Sequence, residues 1–106
     1  MKRTLITLAA MATLSASVFA ADDAAAVDLA KVKNCLSCHS VERKIVGPAF
    51  RDIAAKYKGS KDALATLAQK VVAGGSGVWG VVPMPANSQV NEAEAKKLVA
   101  WVLSTK

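Results

Sequence analysis

Apolar residues recur along this chain at helical intervals. Leu29, Val32 and Leu36 lie at i, i+3 and i+7 and predict a first helix over Asp23 to Ser40. After Gly47, Pro48 is placed to open a short second helix, with Phe50, Ile53, Ala54 and Tyr57 on one side and Gly59 at its end. Leu64, Leu67, Ala68, Val71 and Val72 mark the buried face of a third helix that Gly74 and Gly75 stop. The last helix opens with Asn91 as N-cap and Glu94 three residues on, a capping-box pattern, and turns Ala95, Leu98, Trp101 and Val102 inward. Leu98 and Trp101 are expected where the first and last helices cross. Between the third and fourth helices runs GGSGVWGVVPMPANSQV, whose glycines exclude a regular helix and whose Pro83 and Pro85 argue against a central strand. A structureless loop of that length in a small domain is usually functional. The class expected is all-α, with no internal repeat and an alanine-rich, partly frayed start.

The first twenty residues, MKRTLITLAAMATLSASVFA, follow a different pattern. Lys2 and Arg3 precede an apolar stretch, and Val18 and Ala20 sit where a signal peptidase reads its site, so residues 1–20 are expected to be a leader cleaved after Ala20. A membrane span is the weaker reading, because Leu5 to Ala16 is interrupted by Thr7, Thr13 and Ser15 and falls short of the ~20 residues a span requires. No second apolar run follows, so an exported, soluble protein without a membrane anchor is expected, consisting of one domain over residues 21–106. At that size an apolar core is marginal and a staple is usually needed. The chain has two cysteines, which allow one disulfide, and a Cys-x-x-Cys bridge closes too short a loop to restrict the unfolded chain much. A cofactor is the better candidate.

Both cysteines and the only histidine fall in NCLSCHS, residues 34–40. On the predicted helix Cys35, Cys38 and His39 stand at i, i+3 and i+4 and project from one turn. Cys-x-x-Cys-His is the attachment sequence of a c-type haem: each thiol adds to a vinyl group as a thioether, and the histidine binds the iron. A thioredoxin-like redox pair would need a preceding strand, which is missing from the pattern. Zinc needs about four ligands, more than these three residues give. A plain disulfide leaves His39 and the long loop without a role.

With His39 on one side of the iron, Met84 is the candidate for the other. It is the one methionine after residue 20, and it stands in VVPMPAN between two prolines. A lone methionine is ordinarily a core filler. Here Pro83 and Pro85 fix φ on both sides, which stiffens the loop and presents the sulfur in a defined direction. A vacant or water-bound position is the alternative.

Together these residues give a chain that resembles the short class I cytochromes c of bacteria, the small periplasmic electron carriers of denitrifying and respiring species. CLSCH, VGPAF, GSGVWG, PMPAN and LVAWVLS carry the resemblance over essentially all of residues 21–106. It implies a small all-α fold of about four helices wrapped around one covalently attached haem, with a long loop bearing the methionine. It also implies that the Pro48 carbonyl accepts a hydrogen bond from His39, that Trp79 and Lys70 hold a haem propionate, and that Asn87 donates to the Met84 sulfur. Two positions depart from the family pattern. Lys70 offers a point charge where an arginine would offer a planar fork, and Ala86 replaces a second proline common in the loop.

Iron ligated by histidine and methionine has no open position for substrate, so one-electron exchange is the expected chemistry and the protein is expected not to be an enzyme. The competing reading is a haem protein with an open distal site, gas-binding or peroxidase-like. The resemblance implies a monomer receiving electrons from a cytochrome complex and passing them to an oxidase or nitrite reductase, with no nucleic-acid partner. The formal charge of +6 includes Lys2 and Arg3; without them twelve basic and eight acidic residues leave +4. Two propionates and the iron bring that to about +3 when ferric and about +2 when ferrous. Lys31, Lys33, Arg43, Lys44, Lys56 and Lys58 lie in segments near the haem-attachment sequence and are candidates for a ring that steers an acidic partner.

Overall fold

The structure, a computed structural model, describes residues 18–106, with side-chain burial from Asp23 onward. The expected leader lies, up to residue 17, outside the described residues. Four α-helices follow in chain order: α1 (Val18–Val32), α2 (Phe50–Lys56), α3 (Ala63–Ala73) and α4 (Glu92–Ser104). Among the described residues there is no sheet, and no helix is long and apolar enough to cross a membrane.

The last helix organises the rest, since α1, α2 and α3 each pack against it. Its start is fixed as the sequence predicts. The Glu94 amide donates to Asn91 Oδ1 at 2.8 Å and the Asn91 amide donates to Glu94 Oε1 at 3.1 Å, so two otherwise orphaned N–H groups are satisfied reciprocally. Ala95, Leu98 and Val102 turn inward as expected, together with Val99. The helix crossings are built from small residues: Ala30, Ala68 and Ala95 are buried beside Val90, Leu98 and Val99. Methyl side chains at these positions let the helix backbones approach closely. Trp101 is only partly buried, and it meets Phe50 of α2 edge-on, with ring centroids 5.3 Å apart, as well as packing against the central cluster.

Three expectations about the helices are corrected. The first helix does not continue to Ser40. Asn34 takes up the left-handed conformation (φ 63°), which asparagine tolerates better than most residues, and a separate 3-10 turn over Cys35–Ser37 follows. Because the chain turns there, Val32 is left 76% exposed, and Ala26 and Ala30 form the buried face of α1 instead. Pro48 lies outside α2, whose N-cap is Ala49. On α3, Leu64 and Val72 are exposed while Ala63 and Ala68 are buried, so the inward face is narrower than the apolar pattern suggests.

The loop between α3 and α4 is also less irregular than expected. Gly75 and Met84 form an isolated antiparallel bridge, with the Gly75 amide donating to the Met84 carbonyl at 3.0 Å and the Met84 amide to the Gly75 carbonyl at 2.8 Å. This neck draws Met84 back to the end of α3. A Cβ on Gly74 would stand 2.6 Å from the Met84 carbonyl oxygen and 2.7 Å from the Ala86 amide nitrogen, and φ there is 73°. Space and backbone conformation both require glycine.

Candidate functional site

The site begins at the break after α1. Ser37 N–H donates to the Asn34 carbonyl, and both Cys38 N–H (3.3 Å) and His39 N–H (3.1 Å) donate to the Cys35 carbonyl. In a 3-10 turn residues i and i+3 lie one above the other, so Cys35 and Cys38 are aligned by this turn and not by an α-helix. Both cysteines are free and half-buried. Burial pushes the Cys35 thiol up from its ordinary range, against a smaller lowering by a backbone hydrogen bond. A thiol-disulfide catalyst needs the opposite, a thiol pulled down toward thiolate.

His39 is the buried polar residue of the region, 9% exposed. Three neighbours fix its ring. The Pro48 carbonyl lies 2.8 Å from Nδ1; a carbonyl can only accept, so Nδ1 carries a proton, and in the neutral ring the lone pair is then at Nε2. Phe50 stacks on the imidazole with centroids 5.0 Å apart and planes 23° apart. Gly47 lies against the ring edge, and its amide donates to the Cys38 carbonyl at 2.8 Å. Lys44 pairs with His39 in an isolated antiparallel bridge, and Phe50 N–H donates to the Ser40 carbonyl, closing the segment between the histidine and α2. An imidazole held by a carbonyl on one nitrogen with the other left as a donor is the arrangement of a metal-ligating histidine.

Met84 is partly buried at the neck of the α3–α4 loop. Beyond it, Asn87 secures the loop to α3. The Asn87 backbone amide (3.2 Å) and side-chain Nδ2 (2.9 Å) both donate to the Val71 carbonyl, one of the last-turn carbonyls that α3 leaves without an intrahelical partner. Nδ2 also donates to the Pro85 carbonyl at 3.3 Å. Its two hydrogens are therefore directed at carbonyls, not at the Met84 sulfur as the resemblance implies. Trp79 and Lys70, which the resemblance assigns to a haem propionate, each have another neighbour. Trp79 is 43% exposed, and the basic group over its ring is Lys56 of α2, with Nζ 5.6 Å from the ring centroid. Lys70 Nζ lies instead against Gly75, where a Cβ would meet it at 2.5 Å.

Gly47, Phe50 and Gln89 are residues for which the sequence suggests no site role, and Lys56 is expected there only as part of a steering ring of charge. Gly47 carries a signal in standing directly before Pro48, the residue whose carbonyl meets His39. The others have only fold-level signals, because their roles depend on contacts made across the chain.

The residues fit a c-type haem. They comprise two free, aligned thiols, a buried imidazole with one pinned nitrogen, and a thioether on a tethered loop. The fold adds a reason: among the described residues no large side chain is fully buried, while Ile45, Val46, Val78, Val81 and Val82 stay exposed at roughly half or more. A flat apolar group held by the thiols would supply the bulk that the alanine-rich helix crossings lack.

The family model of cytochrome c matches residues 23–106. Cytochrome c-552 of Nitrosomonas europaea is 52% identical over 100 residues, covering 94% of this chain and 93% of that protein. Cytochrome c-551 of Pseudomonas aeruginosa is 46% identical over 102 residues, covering 96% and 95%. The crystal structure of wild-type Nitrosomonas europaea cytochrome c552 superposes with a TM-score of 0.74 at 55% identity, covering 76% of this chain and 99% of that one.

Proposed function

The chain belongs to the cytochrome c family, whose members bind haem c covalently and carry electrons, and from this premise we propose a specific ligand set and a place of work for it. Cys35 and Cys38 form the two thioethers, His39 Nε2 and the Met84 sulfur are the axial ligands of the iron, and the protein is a monomeric periplasmic carrier. The observation that carries the ligand set is the buried His39 ring, with Nδ1 committed to the Pro48 carbonyl, directly beside two aligned free thiols. Residues 1–20 act as the export signal, and after cleavage α1 begins at Ala21.

Haem c supplies a one-electron couple at its iron. The protein's part is to hold that iron in one coordination state. Pro48, Phe50 and Gly47 keep the imidazole from rotating, and the Nδ1–H bond to a carbonyl raises the basicity of Nε2. The Gly75–Met84 bridge and the Asn87 contact with Val71 keep the thioether loop against α3. Held by the His39 nitrogen and the Met84 thioether, the iron would have no open position for a substrate, and outer-sphere electron exchange is the chemistry it would supply. The partners in this reading are a cytochrome complex as donor and a terminal oxidase or nitrite reductase as acceptor. Trp79 and Lys70 are the residues placed to hold a haem propionate, with Lys56 Nζ over the Trp79 ring and Lys70 Nζ beside Gly75.

Absorption spectra of the reduced protein with and without carbon monoxide test the ligand set. A six-coordinate carrier keeps its spectrum at neutral pH, whereas a rapid shift on adding the gas would overturn Met84 as a ligand. The mass of the exported protein tests the links: it should equal the chain from residue 21 plus one haem.

A further inference from the structure

Gln89 connects the two segments on which the site is built. Its side-chain Nε2 donates to the Lys33 carbonyl at 3.3 Å, and Lys33 Nζ donates back to the Gln89 carbonyl at 2.7 Å, across 56 residues of sequence. Lys33 stands two residues before Cys35. The same Nε2 donates to Asn87 Oδ1 at 3.1 Å, and Asn87 Nδ2 in turn donates to the Val71 and Pro85 carbonyls. Three hydrogen bonds therefore lead from the thiol-bearing segment to Pro85, the residue after Met84. Lys33 is itself anchored, with Nζ 3.5 Å from Glu94 Oε2 at the start of α4.

We propose that Gln89 is a positioning residue for the Met84 loop, clamping it to the segment that carries the cysteines and so setting how often the methionine leaves the iron. The inference rests on the reading of Met84 as an axial ligand. Its physical basis is the orientation of Asn87. The amide has one acceptor and two donors, and all are used only when Oδ1 faces Gln89 and Nδ2 faces the two carbonyls. Without the Gln89 donor, Oδ1 loses its protein partner and the Asn87 side chain is held less firmly at Val71, which leaves the loop on the Asn87 backbone amide and the Gly75–Met84 bridge alone and lets it open more often. The Lys33 Nζ bond goes to the Gln89 backbone, so replacing the side chain removes the clamp while leaving that bond and the Glu94 ion pair in place.

The test uses the intact ferric holoprotein and imidazole as the competing ligand, read by loss of the long-wavelength charge-transfer band of methionine-ligated haem. Imidazole binds only when the methionine is off, so its apparent affinity scales with the open population. Gln89→Ala should bind imidazole roughly five-fold more tightly than the wild type, the size expected for one lost hydrogen bond. Gln89→Glu keeps the length, loses the donor and should do the same; it carries the measurement if the alanine variant fails to take up haem. Val99→Ala, in the buried face of α4, should lower the melting temperature and leave imidazole affinity unchanged, which separates loop opening from general destabilisation. Wild-type affinity in both Gln89 variants, with the methionine band present, overturns the role of Gln89 alone. Absence of that band from the wild-type protein overturns the Met84 ligation and the proposal with it.

Discussion

Gly47 and His39 are packed so closely that position 47 has no room for a side chain: a Cβ there would stand 2.5 Å from His39 Cε1, 2.9 Å from Nδ1 and 3.0 Å from Nε2. The glycine is required by space and not by a left-handed φ. The ring cannot retreat easily, since Pro48 holds Nδ1 and Phe50 covers one face. Gly47→Ala should therefore act as overpacking, costing about 1–3 kcal/mol of stability. It should also tilt the imidazole. Guanidinium unfolding of the holoprotein measures the first effect and the g-values of the ferric electron paramagnetic resonance spectrum the second; wild-type values in both would mean that the ring has room to move.

Phe50 links the site to the helix core, stacked on His39 at 5.0 Å and edge-on to Trp101 at 5.3 Å while almost fully buried. Truncation to alanine leaves a cavity under the imidazole and should cost about 3–5 kcal/mol. The pair with Trp101 contributes about 0.5–1.5 kcal/mol of this beyond area burial. A double-mutant cycle of Phe50→Leu and Trp101→Leu, followed by denaturant unfolding, should return a coupling in that range. Strict additivity would mean that the edge contact contributes nothing of its own.

Met84→His bears on the potential. A thioether favours ferrous iron more than a nitrogen donor does, so the substitution should lower the midpoint strongly, within the ~0.8 V that axial ligands span. The reduced spectrum should stay low-spin. An unchanged midpoint in a potentiometric titration would remove Met84 from the iron.

Much of this architecture was legible in the chain. The capping box at Asn91 and Glu94, the glycine stop of α3 and the Cys-x-x-Cys-His sequence depend on residues close together in sequence, and local chemistry decides them. The helix break at Asn34 was hidden, because the apolar spacing of Leu29, Val32 and Leu36 continues through it while only one φ angle changes sign. The surroundings of Trp79 show a second kind of relation that local sequence does not carry. Which lysine lies over Trp79 is set by how α2 and the long loop lie in space, and it is Lys56, far from Trp79 in sequence. The partners of Asn87 are not legible in the sequence either, since Val71 and Pro85 hold it through carbonyls that any residue could supply.

The charges around the site divide by what they touch, and this separates two kinds of lysine. Lys33 is engaged by the Gln89 carbonyl and Glu94, with its side chain 22% exposed, whereas Lys44 is exposed and pairs with His39 only through its backbone. Reversal at Lys33 sets a carboxylate against Glu94 and removes a donor, so Lys33→Glu should lower stability by about 1 kcal/mol, a partly screened interaction. Lys44→Glu should leave both unfolding and midpoint potential close to wild type, because among the described residues its ammonium group is exposed and makes no hydrogen bond or ion pair. If an acidic partner is steered by the exposed positive charges, Lys44→Glu should slow bimolecular electron transfer at low ionic strength. The difference should vanish as the Debye length falls from ~10 Å at 0.1 M salt to ~3 Å at 1 M. Stopped-flow oxidation of the reduced protein across a salt series makes the comparison. A wild-type rate that is flat or rises with salt would instead assign docking to apolar contact, with Val81 and Val82, 92% and 62% exposed, as the side chains to replace next.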